Sequence, residues 1–286
     1  MTPEDLDYIG LLVKDRSGLV LGRDKAYLVE SRLAAVARSR QLDGLAGLVA
    51  ALRTRRDGGL LTDVVEALTT HETSFFRDLK PFDAFRDSIL PRIIENRRQR
   101  KCLRIWCAAC SSGQEPYSLA ILLTEMSATL TGWRVEIIGT DISALVLDRA
   151  RRGVYSQFEV QRGMPPGLLA KYFRRVGAEW EVVDKVRSAV TFKQLNLLSE
   201  ISSIGSVDAV FCRNVLIYFD APTRERVIAG IEGVLEPDGV LFLGGAESTV
   251  GIHTSLKSVP WVRGAYARAG HFDACAATGP ALVATF

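Results

Sequence analysis

The chain has 286 residues, 48% of them hydrophobic, and 36 Lys and Arg stand against 33 Asp and Glu for a net charge of +3. That length supplies one large or two smaller domains with a real core. The even charge balance is unlike that of a dedicated nucleic-acid binder, although a local basic face remains compatible with it. No run approaches the roughly 20 apolar residues of a membrane span. The first residues, MTPEDLDYIGLLV, carry acids where a secretory leader would carry Lys or Arg, which points to the cytoplasm.

Five cysteines (Cys102, Cys107, Cys110, Cys212, Cys275) fall at irregular intervals, and Cys102, Cys107 and Cys212 lie in short apolar runs where a thiol acts as a small hydrophobe. Cys107-x-x-Cys110 lacks the second ligand pair a structural zinc would need, and only three histidines exist, so no metal site is expected.

Residues 1–68 read as a small helical domain: Leu6, Ile9, Leu12 and Val13 recur at helical spacing, as do Leu28, Leu33 and Val36, then Leu45, Leu48, Val49 and Leu52. Gly18, Gly22, Gly44 and Gly58-Gly59 supply the breaks. A linker over 69–84 leads to a second domain over 85–270, where short apolar runs alternate with helical segments. Strands are expected at 103–107, 135–139, 207–212 and 240–243, and helices at 115–129, 144–152 and 222–235. Such alternation predicts an α/β doubly wound, Rossmann-like parallel sheet covered on both faces. Residues 155–192 interrupt the rhythm, and Trp180, Val182, Val183, Val186, Val190 and Phe192 suggest a small antiparallel β-subdomain inserted there. Residues 271–286, rich in Ala with Gly and Pro, read as a loose tail.

In a parallel sheet the ligand sits beyond the carboxyl ends of the strands. After the first strand runs Ala108-Ala109-Cys110-Ser111-Ser112-Gly113-Gln114-Glu115, whose small residues let a ligand approach the backbone at a helix start. It is not GxGxxG, so a dinucleotide fingerprint is not met. Glu115 suits either the helix dipole or a cationic ligand. Asp141, in Gly139-Thr140-Asp141-Ile142-Ser143, stands where nucleotide-type folds hold a ribose diol, or else caps the next helix, a task Ser143 could equally take. Asn196-Leu197 and Arg213-Asn214-Val215 also follow apolar segments; each Asn could pair with a ligand or with loop backbone.

Six blocks, in order, then carry a resemblance: HETSFFRD from His71, RIWCAACSSGQEPYSLA from Arg104, IIGTDISALVLDRARRGVY from Ile137, FKQLNLL from Phe192, DAVFCRNVLIYFD from Asp208 and LEPDGVLFLGGAES from Leu235. Over nearly its whole length the chain resembles the CheR-type protein-glutamate O-methyltransferases, whose fold is a helical domain joined to a methyltransferase domain with a small inserted β-subdomain. The resemblance implies S-adenosylmethionine as cofactor, S-adenosylhomocysteine as product, and glutamates in the cytoplasmic helices of methyl-accepting chemotaxis receptors as substrates. It places His71, Thr73 and Arg77 over the methionine end of the cofactor, Glu115 at its cationic portion and Asp141 at the ribose. Asn196, Leu197, Asn214 and Val215 frame the adenosine and methionine parts, with Ala108, Ile142 and Arg213 beside them. Arg77 and Tyr218 are the implied catalytic residues. His71 is a departure, since many members carry Asn there.

A carboxylate nucleophile is ionised at neutral pH, so the transfer needs alignment and no general base. The helical domain carries Arg32, Arg38 and Arg40, with Arg53, Arg55 and Arg56 beyond, and in this family the corresponding helix faces the acidic receptor coiled coil. The short Val176-Gly177-Ala178-Glu179-Trp180 turn resembles members that bind no tethering receptor peptide. A monomer is expected, with neither nucleic acid nor membrane insertion. Two other readings stand beside this one: a nucleic-acid methyltransferase, suggested by Arg97-Arg98-Gln99-Arg100-Lys101, and a cofactor-binding regulatory module without catalysis.

Overall fold

A computed structural model describes residues 1–54 and 58–272; Arg55, Arg56, Cys275 and the tail from 273 onward lie outside the described residues. Two compact units emerge, residues 1–70 with 218–224 and residues 71–217 with 225–286.

The first unit is helical: α1 (Pro3–Ser17), α2 (Ala26–Ser39), α3 (Gly44–Thr54) and α4 (Gly58–Leu68). Thr2 accepts from the Asp5 amide and Asp5 returns the bond, a capping box that with Pro3 fixes where α1 begins. The core joins Ile9 and Val13 to Val29, Leu33, Leu48, Val64 and Leu68. On α2 the buried face is Val29, Leu33, Val36 and Ala37, and Leu28 is exposed. The expected stripe was thus one residue out of phase at its start, a rotation of 100° about the helix. Residues 218–224 return to this unit, where Leu19 bridges Phe219, the Val20 amide donates to the Tyr218 carbonyl (2.9 Å) and Lys14 pairs with Asp220 (2.6 Å).

The second unit opens with α5 (Lys80–Ala84), which runs through a π-helical turn into α6 (Leu90–Asn96). Strand β1 (Cys102–Ala108), helix α7 (Gln114–Glu125), strand β2 (Arg134–Asp141) and helix α8 (Ala144–Arg152) follow. A three-stranded antiparallel sheet comes next, in the order β3 (Val154–Ser156), β5 (Glu179–Val182), β4 (Phe173–Val176). It is accompanied by α9 (Gln157–Gln161), α10 (Pro166–Tyr172) and α11 (Asp184–Arg187). The chain continues with β6 (Val190–Gln194), β7 (Val207–Cys212), α12 (Ala221–Val234), β8 (Leu235–Leu243), β9 (Leu256–Ser258) and β10 (Ala265–Arg268). The large sheet has the order β6-β2-β1-β7-β8-β10-β9, parallel from β6 to β8 and antiparallel at β10 and β9.

Val190 and Phe192 do not belong to the small sheet: β6 pairs in parallel with β2 at the edge of the large one. An edge strand covered on one face alternates apolar and polar residues just as an antiparallel strand does, so the pattern could not tell them apart. Val186 lies in α11. Strands β9 and β10, only three and four residues long, carry too little periodicity to be seen in the sequence.

Half of the cations in the basic run at 97–101 are engaged at the amino ends of the strands. Asp208, fully buried near the start of β7, accepts from Arg97 Nε (2.8 Å), Arg100 Nη2 (2.8 Å) and the Arg104 amide (2.8 Å). Arg97 also grips Asp238, and Arg100 reaches Glu236 (3.0 Å). Two of the four cations that suggested nucleic acid therefore hold the fold together.

Candidate functional site

Counted within the large sheet alone, the strand order reads 3-2-1-4-5-7-6, so the chain turns outward to one side from β1 and to the other side from β7. The crevice of such a sheet opens where those directions diverge, at the carboxyl ends of β1 and β7. Ala108 ends β1, Asp141 ends β2 and Arg213 follows β7, so three of the expected residues meet at this edge.

The loop after β1 is shaped by its neighbours. The Cys110 amide donates to the Thr140 carbonyl (2.8 Å), and the Ser111 amide donates to Asp141 Oδ2 (2.9 Å). Ala109 and Ser111 hold left-handed φ values of 58° and 51°, a strained geometry for residues with a side chain. Gly113, at φ 93°, must be glycine for space as well, because a Cβ there would stand 2.9 Å from Ala150 Cβ and 3.2 Å from Tyr155 Oη. The Tyr155 hydroxyl donates to the Ser112 carbonyl (2.7 Å) and pins the far side of the loop.

Asp141 is buried, and its second oxygen accepts from the Ser143 amide (3.0 Å). Ser143, not Asp141, caps α8, accepting from the Val146 amide. Burial pushes the Asp141 carboxyl above the usual range, opposed by the amides of Ser143 and Ser111 and by nearby His71.

Glu115 is buried in the first turn of α7 and pairs with Arg213 Nη1 at 2.9 Å. Burial raises its carboxyl, with the Arg213 guanidinium opposing. The Arg213 side chain, 1% exposed, also donates to Asp78 (2.7 Å) and to the Arg77 carbonyl (2.9 Å). One guanidinium thus ties the strand end, the first turn of α7 and the linker motif together. Phe76, Asp78 and Leu79 sit at φ 45°, 66° and 45°, and this turn is held in place by those bonds and by aromatic packing. Phe75 meets Tyr155 and Phe173 edge-on, and Phe76 meets Phe82. Arg77 itself donates to the Glu72 carbonyl (3.0 Å).

The remaining expected residues divide. The His71 carbonyl accepts from Ser111 Oγ (2.8 Å), which sets the linker on the β1 loop; Thr73 is half-buried nearby in sequence. Asn196 Oδ1 accepts from the Leu198 amide (3.0 Å), the loop-backbone role, beside buried Leu197. The Ile142 carbonyl accepts from Gln194 (2.9 Å). Val215 is half-buried. Asn214, at φ 60°, has its Oδ1 buried without a hydrogen-bond partner. Tyr218 belongs to the helical unit's residues, with its carbonyl paired to Val20. Arg32 donates to the carbonyls of Ala67, Leu68 and Thr69 (3.1 to 3.3 Å) and so caps α4, and Arg40 pairs with Asp63 (2.6 Å). Arg38 is exposed. Sequence reasoning missed Asp78 and Ser111, whose roles depend on contacts 135 and 30 residues away in the chain.

Two buried carboxylates, a loop of small residues with left-handed turns and an orphaned amide oxygen fit a ligand carrying a cationic centre, a diol and amine donors. These are the features of S-adenosylmethionine, and sheet and site together define an S-adenosylmethionine-dependent methyltransferase. Residues 71–264 match the CheR methyltransferase SAM-binding domain, and residues 4–69 match the CheR methyltransferase all-alpha domain. The chain belongs to the CheR methyltransferase family. It is 43% identical over 249 residues, 85% of this chain and 90% of the relative, to chemotaxis protein methyltransferase 1 of Pseudomonas aeruginosa. It is 37% identical to chemotaxis protein methyltransferase Cher2 of Pseudomonas putida (89% and 94% covered) and 38% identical to chemotaxis protein methyltransferase 1 of Vibrio cholerae (86% and 90% covered).

Proposed function

We propose that the chain transfers the methyl group of S-adenosylmethionine to glutamate side chains in the cytoplasmic helices of chemotaxis receptors, giving glutamyl methyl esters. The observation that carries this reading is the buried Asp141 and Glu115 at the carboxyl edge of a sheet whose parallel strands all fall within the matched residues 71–264. The cofactor supplies a methyl group on a sulfonium leaving group. Asp141 is suited to the ribose diol, and Glu115 to the cationic end. Asn214, through its orphaned Oδ1, suits an amine donor, with Ala108, Ile142, Asn196, Leu197, Val215, His71 and Thr73 lining the remainder. Arg213 holds Glu115 and the linker in register. Arg77 is assigned to orient the incoming carboxylate, and the catalytic role of Tyr218 rests on the family resemblance alone.

A glutamate carboxylate, with a reference pKa of about 4.3, arrives ionised, so the work is alignment and exclusion of water. Docking falls to the exposed Arg38, aided by Arg40, while Arg32 keeps its structural task. The two-residue Gly177-Ala178 turn between β4 and β5 is short, which favours a receptor without a tethering peptide. Cytoplasmic residence and a monomeric state complete the proposal; among the described residues no helix is long and apolar enough to cross a membrane. Engagement of Arg97 and Arg100 in internal ion pairs weakens the case for a nucleic-acid substrate.

Transfer of tritiated methyl from S-adenosylmethionine to a receptor cytoplasmic fragment, released as methanol by base, tests the reading. Tight cofactor binding with no base-labile label on any receptor fragment would sink it and favour the non-catalytic module.

A further inference from the structure

The loop after β7 carries Arg213, Asn214 and Val215, yet its shape depends on a residue 33 positions beyond Asn214. Glu247 lies in a turn just past β8, is 9% exposed, and no role in the reaction attaches to it so far. Its carboxylate collects four backbone amides. Oε2 accepts from Asn214 (2.8 Å) and Gly244 (2.6 Å), and Oε1 accepts from Leu216 (2.7 Å) and Ile217 (3.3 Å). Four donors on two oxygens fill the lone-pair capacity of a carboxylate, so nothing is left over for a ligand.

The amides of Asn214, Leu216 and Ile217 converge because Asn214 adopts a left-handed φ of 60°. Converging amides around such a turn form a concavity that binds anions. Here the anion is the chain's own side chain. The fit is close on every side: a Cβ on Gly244 would stand 2.7 Å from Glu247 Oε2 and 2.8 Å from Asn214 Nδ2. A left-handed asparagine costs backbone energy, and charge-assisted bonds from the carboxylate offset that cost. The same conformation leaves Asn214 Oδ1 buried and unpartnered, the acceptor assigned above to the cofactor.

We infer that Glu247 is a positioning residue for methyl transfer: by binding the amides of Asn214, Leu216 and Ile217 it holds the β7 loop in the one shape that presents Asn214 to the cofactor. This rests on the assignment of that loop to the cofactor site. Glu247 touches no reacting atom; it acts through the backbone it gathers. A misplacement of about 1 Å in such a loop can cost on the order of 100-fold in rate.

The test compares Glu247→Gln, Gly244→Ala and Asn214→Ala in the full chain. Glu247→Gln keeps size and one acceptor but turns an amide toward two backbone N–H groups. Gly244→Ala leaves the carboxylate in place and crowds it out of its seat. Both are expected to raise the KM for S-adenosylmethionine about tenfold and lower kcat by at least as much, with the KM for a receptor fragment unchanged. Hydrogen exchange should quicken at the amides of 214, 216 and 217 while those of β1 and β7 stay protected. A merely structural role would shrink the active fraction, lowering kcat and leaving both KM values alone. If Glu247→Gln does not fold, Gly244→Ala decides. Should Asn214→Ala weaken cofactor binding while both other variants keep the wild-type KM, the inference is overturned and the site assignment stands. Wild-type cofactor affinity in Asn214→Ala overturns the loop assignment, and the inference with it.

Discussion

The loops at the ends of β2 and β7 each close on a buried carboxylate, and the two differ in what is left over. Asp141 accepts the Ser111 and Ser143 amides at 2.9 and 3.0 Å, and its carboxyl is pushed up by burial. Glu247 accepts four amides. A carboxylate offers about four acceptor sites, so Asp141 keeps capacity for a diol and Glu247 keeps none. Both acids shape backbone. Only the unsaturated one has acceptor capacity to spare, as the proposed ribose role requires. Motif position alone would not separate them, since each stands at or just beyond the carboxyl end of a strand of the same sheet.

The largest test of this contrast removes the cation beside a third buried acid. Arg213→Met leaves Glu115 unpaired in the interior and should cost about 3 kcal/mol of stability in urea melts, as breaking a buried pair does. The double variant with Glu115→Gln should recover much of it; no recovery would mean that Arg213 matters mainly through Asp78 and the linker. Next, Asp141→Ala should weaken S-adenosylmethionine binding about 100-fold by calorimetry, from the lost diol partner and the freed loop amides together. Asp141→Asn, which keeps an acceptor for the loop, should fall between; equal affinity in Asn and wild type would refute the ribose role.

A smaller effect concerns pH. Burial raises the carboxyls of Asp141 and Glu115, so the native chain holds these protons more tightly than the unfolded chain. Their contribution therefore makes stability fall as pH rises from about 4 through their raised values. Glu115→Gln should flatten that limb in melts of the cofactor-free protein, and an unchanged limb would assign it to Asp141. The smallest pair separates the arginines of α2. Arg32→Ala should lose about 1 to 2 kcal/mol of stability, having capped three carbonyls. Arg38→Ala should leave stability alone and raise the KM for receptor a few-fold. The reverse pattern would move the docking face elsewhere.

Much of the sheet was legible because buried parallel strands are continuous apolar runs: 207–212 and the helix at 144–152 match the structure to the residue. The small residues of the β1 loop and Asp141 were legible because strand-end chemistry follows from topology. Phe192 was misplaced because an edge strand and a hairpin strand alternate alike. The bonds of Arg32 to the end of α4 were not legible, because a helix periodicity reports a face and not what covers it. Glu247, sitting in the matched LEPDGVLFLGGAES block, attracted no role because three of its four partners lie 30 to 33 residues upstream, and no local pattern announces a side chain that binds distant amides.

The adjacent phenylalanines of the linker carry a consequence for how this chain can vary. Phe75 is anchored between Tyr155 and Phe173, in β3 and β4 of the small sheet, and Phe76 is anchored on Phe82, which stacks toward Phe211 of β7. Consecutive side chains are thus keyed to different locks, and the spacing between them is a single residue. Substitutions in this stretch can be graded in their cost, but insertion or deletion of one residue swaps both keys at once and carries Arg77 and Asp78 with them. The linker therefore behaves as a ruler of fixed length, which tolerates a change of letter far more readily than a change of number.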